Sequence, residues 1–162
     1  MSDANKIREV LDRPATEQER EIVRWLLEHG DPQYLPLASQ IDSLRVVSKC
    51  TCGCPTVNFA LEGNPTSRKG ERLIGDCPAT VDDQDVGVLL FECRGRLSTL
   101  EVYSCAGSDK PFGLPKIEDI YIWEESSTRG IFITRQTLLK SEEGVEVHRA
   151  DNAEDLFKKL GI

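Results

Sequence analysis

Two β-rich apolar runs, Val86-Gly87-Val88-Leu89-Leu90-Phe91-Glu92-Cys93 and Leu97-Ser98-Thr99-Leu100-Glu101-Val102-Tyr103, stand either side of Arg94-Gly95-Arg96. Runs of this kind around a short glycine turn predict a β-hairpin over residues 86–103. A two-residue type II′ turn at Gly95-Arg96 puts glycine where φ > 0 is required. That register pairs Phe91 with Leu100 and Leu89 with Val102 on an apolar face. The other face is mixed, with Leu90 opposite Glu101 and Glu92 opposite Thr99, as in an antiparallel sheet with one wetter side.

Upstream, Ile7, Val10 and Leu11 form a stripe at helical spacing, predicting a short helix over residues 3–12 that Arg13-Pro14 ends. Thr16-Glu17-Gln18-Glu19 matches a capping box, and Ile22, Val23, Leu26 and Leu27 continue it as a helix to His29, with Gly30 beyond its end. A Pro-containing connector follows over residues 31–40. Period-two patterning then predicts strands over residues 41–49, 55–61 and 71–81, the last interrupted at Cys77-Pro78 because proline cannot donate to a central ladder. Residues 82–85 read as an acidic turn, 106–115 as a loop, and 117–124 as a last strand of the main sheet. A hinge over 125–130 leads to a ββα extension that ends in a helix from near Asp151 to Gly161. Strands grouped together with helices apart predict an α+β fold. Its antiparallel sheet would have five or six strands, with the N-terminal helices on one face. The main domain would span residues 1–125 and the ββα extension residues 126–162.

The 162 residues suffice for one core, and 30% charged with 39% hydrophobic residues is a globular composition. Twenty basic against 28 acidic residues leave a net charge of −8, which repels phosphate backbones and anionic lipid. The basic pairs Arg94/Arg96 and Arg68-Lys69 are too small to reverse this, so neither nucleic acid nor membrane is expected, and a basic protein partner is. With no apolar leader and no membrane-length apolar run, a cytoplasmic protein is expected, its six cysteines reduced.

Chemistry concentrates at Cys50-Thr51-Cys52-Gly53-Cys54. If Gly53 bends the chain, these thiolates converge on Zn²⁺ at Zn–S distances of about 2.3 Å, with Cys77 the first choice of fourth ligand and Cys93, Cys105 or His148 the others. If the segment is instead a continuous strand, Cys50 and Cys54 lie about 13 Å apart and serve as small hydrophobes. The spacing departs from paired C-x₂-C zinc units, and a thiol-redox role is a further form of the functional reading. Lys49 is the only cation close in sequence that could favour a thiolate. Cys93 reads as core. Asp82, Asp83 and Asp85 lack the glycine and terminal glutamate of a calcium loop and read as a solvated turn. Glu92 and Glu101 share the mixed face of the hairpin but are offset along it. His29 suits a helix C-terminus, His148 has no carboxylate partner pattern, and no hydrolase or nucleotide-binding motif is present. Catalysis is therefore not expected.

The capped N-terminal helix, Cys50-Thr51-Cys52-Gly53-Cys54-Pro55-Thr56-Val57, and Leu100-Glu101-Val102-Tyr103 followed by Phe112-Gly113-Leu114-Pro115 resemble small bacterial proteins of unknown function. Some of these are similar to cytoplasmic immunity-type proteins. The resemblance covers residues 14–120 and implies a compact α+β domain with no active site to carry over. Two functions are thus expected in competition. One is a non-enzymatic, immunity-like interaction protein that meets a basic partner. The other is a zinc-binding or thiol-redox protein using Cys50, Cys52 and Cys54, with Cys77.

Overall fold

The computed structural model describes residues 8–61, 69–107 and 110–123. The expected ββα extension, the hinge before it, the turn over 63–67 and His148 lie outside these residues, as does the start of the expected first helix. The described chain is α+β, built on a six-stranded antiparallel sheet. The strands are β1 (Arg8–Pro14), β2 (Arg45–Cys50), β3 (Val57–Phe59), β4 (Glu71–Val81), β5 (Gln84–Cys93) and β6 (Arg96–Ser104). Their order in the sheet is β1-β2-β3-β6-β5-β4. Two three-stranded meanders are therefore joined where β3 pairs with β6, Val57 opposite Leu100 and Asn58 opposite Thr99. Among the described residues no helix is long and apolar enough to cross a membrane.

The helix α1 (Glu17–His29) begins with the expected capping box. The Thr16 hydroxyl accepts from the Glu19 amide at 3.2 Å, and the Glu19 carboxylate accepts from the Thr16 amide at 2.7 Å. Arg13 at the end of β1 adds two further bonds to the same carboxylate, at 2.7 and 2.8 Å. Burial pushes the Glu19 carboxyl up, but the Arg13 and Thr16 hydrogen bonds outweigh it and hold the group below its ordinary value. The stripe Ile22, Val23, Leu26 and Leu27 is buried in one core with Val46, Phe59, Val88, Leu90 and Leu100. Gly75 permits the approach of α1: a Cβ there would meet those of Leu90 and Leu26 at 3.2 and 3.3 Å. A long 3-10 segment, Pro32–Ser43, follows α1 and stands where a plain connector was expected.

Four further expectations give way. Residues 8–14 are a strand, not the end of a helix, because β2 offers an open edge and Arg8 to Pro14 pair along it. With no helical face to bury, Val10 is 85% exposed. The strand β4 runs unbroken through Pro78, which is possible because β4 is an edge and its ladder partner Gly87 lies on one side only. The Pro78 carbonyl, facing outward, accepts from the Tyr121 amide at 2.9 Å. The expected strand over 117–124 reduces to a 3-10 turn, Ile117–Asp119, and a single bridge between Ile120 and Ala79.

The fourth correction is the hairpin register. Arg94 and Gly95 form the turn, with φ of +52° and +77°, a type I′ pattern displaced by one residue from the expected Gly95-Arg96. Side chains from elsewhere hold it there: Glu92 accepts from the Gly95 amide at 2.7 Å, while Gln40 bonds the Gly95 carbonyl and the Leu97 amide at 2.8 and 3.0 Å. A shift of one residue exchanges the faces. Leu90 now pairs with Leu100 and Val88 with Val102, all fully buried, and Leu89 and Phe91 turn to the other, half-open face. Glu92 and Glu101 consequently do not share a face. Glu92 is buried in an ion pair with Arg72, whereas Glu101 stands opposite Leu89.

Candidate metal centre

The cysteine segment forms the connection between β2 and β3, and Thr56, just before β3, lies alongside Val102 of β6. Its base is closed by the Cys50 amide, which donates to the Thr56 carbonyl at 3.0 Å. Between these ends residues 51–54 are a bend, not a strand. Gly53 makes the bend, with φ of +99°, a conformation open to glycine and strained for any other residue. The bend is clamped from outside: the Phe112 amide donates to the Gly53 carbonyl at 3.2 Å, and a Cβ on Gly53 would sit 3.1 Å from Pro111.

This geometry removes the extended alternative, in which the outer cysteines lie far apart. The three sulfurs all lie within 4.8 Å of one another. The Sγ–Sγ distances are 3.0 Å for Cys50–Cys52 and 3.1 Å for Cys52–Cys54, well outside a disulfide bond of about 2.05 Å. A hydrogen-bonded chain runs through them. Cys50 donates to Cys52, Cys52 to Cys54, and Cys54 to the Thr56 hydroxyl at 3.3 Å. Thr56 then fixes the chain to the sheet, its hydroxyl accepting from the Val102 amide at 3.0 Å and donating to the Val102 carbonyl at 3.2 Å.

Exposure grades along the cluster: Cys50 is buried, Cys54 half-buried and Cys52 exposed. Burial, reinforced by the neighbouring Cys52 and Cys54, pushes the Cys50 thiol up to about 11. A cation entering here must displace protons, as thiolate ligation requires. Cys52 and Cys54 open on a groove of about 200 Å³ whose walls include Glu101, Tyr103, Lys110 and Phe112. A smaller cavity of about 90 Å³, sharing Thr56 and Glu101 with the groove, is lined by Cys50 with Arg8, Asn58 and Glu71. Gly87 lets the Tyr103 ring lie across the sheet at the groove wall, since a Cβ at Gly87 would overlap that ring.

The other expected ligands stay apart from this cluster. Cys77 lies on β4, three strands away from β3 in the sheet, in the hydrophobic core. Burial, then the charge of Asp76, pushes its thiol up to about 12. Cys93 is buried at the end of β5 and donates to the Lys69 carbonyl at 3.7 Å. Cys105 lies beyond β6 with its residue exposed, while partial desolvation of the sulfur, then the carboxylates of Asp85 and Asp76, pushes its thiol up to about 11. His29 is occupied at the end of α1, stacked on Trp25 with ring centroids 4.1 Å apart and bonded to the Trp25 carbonyl. Lys49, the cation adjacent in sequence, is paired with Glu9 at 2.9 Å.

Sequence reasoning missed Thr56, Lys110 and the clamp from Pro111 and Phe112. Thr56 carried a signal, because it continues the alternate positions 50, 52 and 54. Lys110 and the clamp reach the cluster only through the fold. No protein-family model, curated protein or solved structure matches the chain.

Proposed function

We propose that this protein binds a soft metal ion, zinc foremost, through the thiolates of Cys50, Cys52 and Cys54. The observation that carries the reading is the convergence of three sulfurs on a bend that only glycine makes without strain. Thiolates select zinc and copper(I) over hard cations. In a tetrahedral zinc site with Zn–S of about 2.3 Å, sulfurs stand about 3.8 Å apart, so the two touching pairs open by less than about 1 Å on loading. With Cys77 in the core, the described residues supply three ligands, and a fourth position on the groove side would go to water or an incoming donor. Three protein ligands with one open position is the pattern of exchangeable and reactive zinc sites, not of closed structural ones. Thr56 is the outer-shell residue that orients the cluster.

Substitution by Co²⁺ tests this directly. The reduced, chelator-stripped protein should develop thiolate-to-cobalt charge-transfer absorption whose intensity corresponds to three sulfurs, and zinc should bleach it. Cys77→Ala should keep the full intensity, while Cys52→Ser and Cys54→Ser should each lose a third of it. Absence of the band in the wild type would end the zinc reading.

A second reading, an acidic interaction protein with a basic partner, is favoured by the net charge of −8 and by exposed Leu73, Tyr103 and Trp123, which are 49%, 42% and 47% accessible. In that reading α1 and the 3-10 segment close one face of the sheet and the partner meets the other. Salt-sensitive capture of a basic protein by the wild type, lost in a Leu73→Asp, Tyr103→Asp variant, supports it, and capture unaffected by both salt and the variant counts against it.

A further inference from the structure

The three sulfurs are not equivalent in access or in covalent freedom. Cys52 and Cys54 both face the groove of about 200 Å³, whereas Cys50 is 7% exposed and faces the separate, smaller cavity. Cys50 also belongs to a ladder: it pairs with Arg8 across β1 and its amide is bonded to Thr56. Pulling it into a new bond would disturb two strands. Cys52 and Cys54 lie in the bend, outside the strand ladder, with Gly53 already turned between them.

We infer that Cys52 and Cys54 are a thiol–disulfide exchange pair that takes small-molecule disulfides from the groove, with Cys52 attacking, Cys54 resolving and Cys50 spared. The Cys52 thiolate attacks one sulfur of a disulfide RSSR, the S–S bond breaks, and RS⁻ leaves and takes up a proton. The Cys54 thiolate then attacks Cys52 Sγ in the mixed disulfide and expels the second RS⁻. The two protein thiols together lose two electrons and two protons, and RSSR gains them as two RSH. The sulfurs close from 3.1 Å to about 2.05 Å, a small movement for a bend outside the sheet. The pairing itself is independent of zinc. Resting on the zinc reading as well, the disulfide removes two of the three ligands and releases the ion, which makes metal loading redox-dependent.

The test uses the reduced full-length chain, stripped of metal by a chelator and exposed to glutathione disulfide. Aliquots are quenched in acid, alkylated and mapped by tandem mass spectrometry. The expected product carries an alkylated Cys50 and a Cys52–Cys54 bond, two hydrogens lighter, and forms before the exposed lone thiol Cys105 is modified. Cys54→Ser should stop at a glutathione adduct on Cys52, and Cys50→Ser should still form the bond. A Cys50–Cys52 bond, a first adduct on Cys50 or Cys54, or reaction no faster than at Cys105 overturns the inference. Zinc-loaded protein followed with a chromophoric zinc indicator separates the two readings. A chain that binds no zinc but forms the Cys52–Cys54 bond loses only the zinc reading. A chain that binds zinc without forming that bond loses only the exchange pair.

Discussion

At the scale of single residues, the site depends on one backbone conformation and one hydroxyl. Gly53→Ala forces a side chain to φ of +99° beside Pro111, a strain of about 1–3 kcal/mol that the bend relieves by opening. Zinc affinity measured by competition with a chromophoric chelator should fall by about tenfold or more, since each ~1.4 kcal/mol is a factor of ten. Thr56→Val removes the hydroxyl that fastens the thiol chain to Val102 and should lower the affinity by about 10-fold, the low end for an outer-shell residue. If both variants bind zinc as the wild type does, the cluster is not preorganised by the contacts described. The cysteines and Gly53 were legible in the sequence as candidates, and their convergence was one of two alternatives. Choosing between them required Pro111 and Phe112, which meet Gly53 only once the chain has folded.

At the scale of elements, the capping box of α1 was fully legible because its partners sit three residues apart. Thr16→Ala should cost about 1 kcal/mol in urea unfolding. Glu19 adds a pH dependence. Its carboxyl is held below the unfolded value of about 4.3, so its contribution is complete above that value and is lost as pH falls through the lower folded value. The difference in stability between wild type and Glu19→Gln should shrink on going from pH 6 to pH 3. A difference that stays constant, or grows, across that range would mean that the Arg13 bonds do not hold the carboxylate. The hairpin was legible as a hairpin and misread by one residue, because Glu92 and Gln40 fasten the turn at Arg94-Gly95 and local preference alone favours glycine first. Arg94 stands at φ of +52°, a region that costs an ordinary residue about 1–2 kcal/mol and asparagine less. Arg94→Asn should therefore raise the melting temperature; an unchanged or lower one would favour the turn at Gly95-Arg96. The strand β1 was illegible for the same kind of reason. Its residues have a helical stripe, and only the open edge of β2 makes the extended form better.

At the scale of the molecule, two meanders joined at β3 and β6 bring the β2–β3 connection onto the end of the hairpin, and this places the cysteines beside Val102, Tyr103 and the segment that contains Lys110. The α+β class and the antiparallel sheet followed from strands grouped along the chain. The order of the strands did not, because the β3–β6 pairing is the long-range contact that patterning cannot assign. The same topology removes Cys77 from the site by setting β4 at the opposite edge from β1, with its thiol turned into the core. Of the four cysteines expected together, the described residues bring three into one cluster and leave Cys77 in the core.

Native mass spectrometry of the full chain, purified under reducing conditions without chelator and paired with elemental analysis, tests that centre most directly. One zinc per chain, retained in Cys77→Ala and absent from a Cys52→Ser, Cys54→Ser double variant, is the expected result. A metal-free chain with six free thiols that still takes up no zinc on titration would contradict it and return the three cysteines to a structural role.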